Sequence, residues 1–136
     1  LLELLDKLRS VDKVFLCTLP PIGENKDSQV NHHVNKFNGF ITKTAQERDL
    51  SILPVSESFW SDLALREFPC INEYNPNSIP LIRRIYGGVI HHYIFKQSWD
   101  KIARSKGQWL LFDQIHLGER AASIVFNLVK KEISKD

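Results

Sequence analysis

Asp113 and His116 are the two residues of this chain whose types and spacing best suit chemistry. They stand three positions apart in Asp113-Gln114-Ile115-His116-Leu117, between the apolar run Trp109-Leu110-Leu111-Phe112 and an amphipathic stretch. A carboxylate so placed can accept a hydrogen bond from one imidazole nitrogen and fix the tautomer. The other ring nitrogen is then ready to take a proton from a hydroxyl nucleophile. Taken alone, an Asp-x-x-His spacing is more often a turn carboxylate beside a surface imidazole, so the pair needs a setting before it carries a function.

No other cluster competes with it. His32-His33 and His91-His92 are adjacent pairs, and neighbours on a helix point about 100° apart, which makes a poor chelate. Cys17 and Cys70 lie far apart and belong to no CxxC or zinc spacing. Cys17, inside an apolar run, reads as a buried free thiol. Glu24, beside Pro20-Pro21, reads as a solvated loop charge. No metal site is therefore expected. The formal net charge over 136 residues is +2, with both signs mixed along the chain. That bias is too weak to argue for a nucleic acid or an anionic membrane as partner. No apolar run approaches the roughly 20 residues that span a bilayer.

The elements that must position the pair follow from periodicity. Leucines at 1, 4, 5 and 8 predict a first helix, without a capping residue before it. Val14–Leu19 is a short, continuously apolar run that Pro20-Pro21 stops, and it predicts a strand buried on both faces. Ser28 caps a helix carrying Val30, Val34, Phe37 and Ile41 and ending near Arg48. Ser51–Val55 is a second strand candidate, shortened by Pro54. Residues 79–95 form a helical stripe in which Gly87-Gly88 marks a close-packing point or a kink. Ser98 caps a short helix to 105, Gln108–Phe112 is a third strand candidate, and a last helix runs from Glu119 to about Ser134. Strands alternating with helices in this order predict an α/β protein, with the site in the loops at the strands' carboxyl ends.

In this setting the chain resembles the SGNH/GDSL-type esterase and lipase family. Val14–Glu24 looks like a late strand of that family with its proline-rich turn. Asn31, Val34, Phe37, Asn38 and Ile41 look like the helix that follows. Leu111-Phe112-Asp113-Gln114-Ile115-His116-Leu117 is similar to the family's Asp-x-x-His-Leu block. The resemblance covers roughly residues 1 to 59 and 107 to 133. It implies a three-layer α/β/α parallel sheet, the flavodoxin-like SGNH hydrolase fold, with its N-terminal part missing. It implies one partial domain over 1–136. Residues 60–106 do not match the family pattern; they read as core-packing helices, with a helical, substrate-binding insertion near the site as the alternative. It also implies that His116 is the general base and Asp113 the residue that orients it. Gly118 stands where the family often has Asn, and Ala121 where it often has Gly.

The family's nucleophilic serine sits in a Gly-Asp-Ser-type turn, and its oxyanion-hole Gly and Asn come from two further blocks. None of these motifs occurs here, and there is no Gly-x-Ser-x-Gly elbow either. The absence of Met, at position 1 or elsewhere, and the uncapped helix at Leu1 fit a cut or processed N-terminus. The expectation is thus the C-terminal part of a serine ester hydrolase. It supplies the base and the acid of a triad and is inactive alone; no compartment is implied. The complete enzyme would act on a small-molecule, lipid or carbohydrate ester, without a metal or organic cofactor. Its exposed sheet edge at Val14–Leu19 would invite self-association. The alternatives are a non-catalytic, truncated SGNH-like binding module and an unrelated α/β interaction domain. No nucleic-acid partner is expected.

Overall fold

The computed structural model describes residues 1–8, 10–69, 74 and 79–134. Its elements in chain order are α1 (Leu2–Lys7), β1 (Phe15–Cys17), α2 (Gln29–Glu47), β2 (Ser51–Leu53), α3 (Val55–Leu63), α4 (Ile79–Tyr93), α5 (Trp99–Ser105) and α6 (Glu119–Ile133). Helices dominate, and the two strands pair in parallel with Phe15 opposite Ser51, Leu16 opposite Ile52 and Cys17 opposite Leu53. The expected three-layer α/β/α parallel sheet is therefore not what the described residues build: their sheet has two strands of three residues each.

The third strand candidate, Gln108–Phe112, is a loop, with one antiparallel bridge between Leu111 and Leu117. The physical reason lies far away in sequence. A strand there would give its N–H groups to a neighbouring strand, but Trp109, Leu110 and Leu111 give theirs to the carboxylate of Glu24, at 2.6–2.9 Å. Phe112 donates to the carbonyl of His116 at 3.1 Å, and Gln108 to Ala103 at 2.9 Å. Every backbone donor from 108 to 112 is thus satisfied without a ladder, as buried backbone requires.

The two-stranded ribbon is covered on both faces because strand side chains alternate. Leu16 and Ile52 pack with Leu5 of α1 and Ala45 of α2. Phe15 and Leu53 pack with Val55, Phe59 and Leu63 of α3, with Leu110 and Leu111, and with Ala121 of α6. Cys17, expected to be buried, is exposed. Thr18 fixes the end of β1: its hydroxyl donates to Glu57 at 2.8 Å and accepts the Ser56 N–H at 2.9 Å.

Ser28 caps α2 as expected, accepting the Asn31 N–H, and Ser98 caps α5 by accepting that of Lys101. The segment after Pro54 holds a helix, α3, and Pro54 serves as its N-cap rather than merely ending a strand. Helix α4 runs unbroken through Gly87-Gly88. Gly88 is the close-packing point: a Cβ there would press on the Phe112 ring at 3.2 Å. Part of the candidate insertion, 70–73 and 75–78, and with it Cys70, lies outside the described residues. No helix among the described residues is long and apolar enough to cross a membrane.

Candidate active site

Acidic side chains from outside it hold the loop between α5 and α6: Glu24 of the turn after β1, Asp62 of α3 and Asp100 of α5. Glu24 is buried and holds the loop's first limb through the three N–H groups described above, while Arg66 closes its other side at 3.1 Å. The reading of Glu24 as a solvated loop charge is corrected here. Asp62 of α3 accepts the Trp109 indole N–H at 2.8 Å and a forked pair from Arg120 at 2.6 and 2.8 Å. The Arg120 and Arg104 guanidinium groups lie 4.8 and 4.9 Å from the Trp109 ring centre. This bidentate contact with Asp62, together with Coulomb attraction, raises the Arg120 pKa further, against the opposing effect of burial.

Asp100 and Glu119 tie the two flanking helices together. Glu119 accepts the N–H groups of Trp99 and Asp100 at 2.7 Å each, and so caps α5 from the first turn of α6. Asp100 accepts the N–H of Arg120 at 3.1 Å with both oxygens, and so caps α6 in return. Burial opposes ionisation of Glu119, but the backbone N–H groups of Trp99, Asp100 and Glu119 itself, with a hydrogen bond to the Asp100 side chain, together outweigh it and lower its pKa. Gly118 leaves room for this exchange. A Cβ there would collide with Asp100 and approach the Leu110 carbonyl to 3.1 Å, which accounts for glycine at this position.

The Pro20–Asn25 turn docks on the same loop. Two asparagines seven positions apart on α2 hold its backbone: Asn38 bonds Leu19 at N–H and carbonyl (2.6 and 3.0 Å), and Asn31 bonds Ile22 likewise (2.9 and 3.0 Å). Gly23, at φ 64°, then donates its N–H to the carbonyl of Gln114 at 2.6 Å. The turn that follows β1 and the Asp113–His116 loop thus meet at one end of the ribbon.

Asp113 and His116 are brought together at the centre. The Asp113 side chain is fully buried, and its Oδ2 lies 2.6 Å from His116 Nδ1. Its Oδ1 accepts the N–H groups of His116 at 2.8 Å and Ile115 at 3.1 Å. This tight turn forces Gln114 to φ 79°, a left-handed conformation that costs a non-glycine residue about 1–2 kcal/mol. A carboxylate can only accept, so Nδ1 carries the proton and the lone pair sits on Nε2. The His116 side chain is 62% exposed. A file of rings braces it from behind: Phe112 at 5.6 Å, then Trp99 at 4.2 Å from Phe112, then His92 at 4.1 Å from Trp99.

Among the described residues no serine hydroxyl bonds to His116. Ser28 and Ser98 cap helices, and Ser61, Ser105, Ser123 and Ser134 donate to carbonyls of their own helices. His32 and His33 are exposed on α2, and His92 Nδ1 lies 2.8 Å from the Gln97 carbonyl. No group of three metal-ligating side chains occurs among the described residues. Compared with family models, curated proteins and solved structures, the chain matches none of them.

The sequence reading found the Asp–His pair and missed the three carboxylates that hold its loop. Glu24, Asp62 and Asp100 have no local signature, because each acts on backbone or side chains 20 to 87 positions away.

Proposed function

We propose that this chain supplies the base and the orienting acid of a serine ester hydrolase of the SGNH/GDSL class. The observation that carries the reading is the 2.6 Å contact between buried Asp113 and His116 Nδ1, which leaves Nε2 of a largely exposed ring as the proton acceptor. In such a reaction Nε2 takes the proton of an attacking serine hydroxyl and later returns it to the leaving alcohol. Asp113 holds the ring and stabilises the imidazolium formed between the two steps. The serine and the oxyanion donors belong to motifs that these 136 residues do not contain. The chain alone is therefore inert toward esters, since the members of a triad act as a unit.

The test is hydrolysis of short p-nitrophenyl esters by the complete natural gene product that contains this chain. Replacing His116 by Ala lowers kcat/KM on the order of 10³-fold or more, and Asp113→Asn lowers it on the order of 10²–10⁴-fold, with circular dichroism unchanged. Full activity of His116→Ala would refute the proposal, as would turnover by residues 1–136 that depends on one of their own serines.

A further inference from the structure

Helix α4 turns an apolar stripe to solvent. Tyr86, Val89, Ile90 and Tyr93 recur at helical spacing, and Ile94 and Phe95 extend the stripe; all six are between 41% and 68% exposed. The helix docks through buried Gly88 against Phe112 and through Tyr93 edge-on to Trp99, while the rest of the stripe stays exposed. A contiguous exposed patch of this kind marks an interaction surface.

Charge indicates what covers it. From residue 79 to residue 106 the chain carries six basic residues (Arg83, Arg84, Lys96, Lys101, Arg104, Lys106) against one acidic residue, Asp100. The remainder carries twelve basic against fifteen acidic residues. The whole-chain charge of +2 conceals this asymmetry. Arg83, one turn before Tyr86, and Lys96, next to Phe95, are both exposed beside the stripe, as is Lys101 on α5. A second copy of the chain is disfavoured as the occupant. A two-fold interface would set this basic segment against itself. Exposed aliphatic side chains, amphipathic tyrosines and flanking basic residues on one helix are the composition that seats in the headgroup region of a bilayer.

We propose that α4 and the turn after it dock on an anionic lipid surface. The apolar stripe enters the headgroup region, and Arg83, Lys96 and Lys101 meet the lipid phosphates and carboxylates. Each basic residue near such a surface contributes about fivefold in affinity at low salt. Tyr93 lies edge-on to Trp99 at 6.4 Å, and Trp99 leads through Phe112 to His116. Docking would therefore bring the exposed imidazole close to the lipid. The surface property stands independently of whether His116 acts on esters.

The test is co-sedimentation of the 136-residue chain with phosphatidylcholine vesicles and with vesicles of phosphatidylcholine and phosphatidylserine in equal parts. The chain binds the anionic vesicles at least tenfold more tightly than the neutral ones and is released by added salt. Replacing Tyr86, Ile90 and Tyr93 by Ser weakens binding at least tenfold, and Lys96→Glu with Lys101→Glu does the same. The charge variants keep the test decisive if the serine variants do not fold. Failure to bind anionic vesicles overturns the proposal, and so does binding that neither set of variants changes. Sedimentation showing a dimer that the serine substitutions dissociate, with vesicle binding intact, also overturns it by assigning the stripe to a second copy.

Discussion

Two carboxylates set the chemistry and the frame of the candidate site. Asp113 fixes one tautomer of His116, and Glu24 fixes the loop on which both stand. Replacing Glu24 by Ala strands three backbone donors and the Arg66 guanidinium in a buried setting. The expected cost is about 3–5 kcal/mol. Glu24→Gln keeps an acceptor oxygen and the packing, so it loses less. Urea unfolding of the two variants checks this, and a loss under about 1 kcal/mol for the alanine variant would show that water replaces the carboxylate. A second residue-scale prediction concerns Gln108, whose fully buried side-chain amide has no hydrogen-bond partner among the described residues. Such an orphan group costs about 1–3 kcal/mol. Gln108→Met therefore raises the thermal midpoint. A lowered midpoint would mean that the amide is satisfied in solution.

Helices whose signals are local were legible in the sequence, and structure imposed from a distance was not. The caps of α2 and α5 and the apolar face of α6 were written within a few residues of each boundary. Helix α3 was not legible: it carries Val55, Phe59 and Leu63 at spacings of four, but Val55 reads as the end of a strand and the turn signal of Pro54 obscured the helix. The strand expected at 108–112 failed because its donors serve Glu24, more than 80 positions upstream. Position 118 had looked like a departure from a family pattern; its cause is the Asp100 cap on α6. Gly118→Ala should cost about 1–3 kcal/mol through that collision, read as a drop in thermal midpoint. Glu119 gives the same junction a pH dependence. Its folded pKa lies below its unfolded one, so its contribution is present above the ordinary glutamate value of about 4.3. The contribution is lost as pH falls through the lowered value. Glu119→Gln should therefore flatten the acid limb of a stability–pH curve. An unchanged acid limb would place the sensitivity elsewhere.

At the scale of the molecule, a short parallel ribbon lies between helices that the site loop helps to join: Glu24 from the β1 turn, Asp62 from α3 and the reciprocal caps of α5 and α6 all converge on residues 109–120. A fold this poor in strand pairing depends on such convergence, since two three-residue strands are marginal by themselves. The expectation of a broad parallel sheet came from resemblance and alternation. What alternation could not reveal was that a carboxylate stands where the next strand would pair. The central claim, an imidazole held by Asp113 with Nε2 free to accept a proton, is tested most directly by nitrogen NMR of His116 in the 136-residue chain at neutral pH. The account predicts a single tautomer protonated at Nδ1, lost in Asp113→Asn. A His116 ring protonated at Nε2, or averaging freely between tautomers in the unaltered chain, would contradict it.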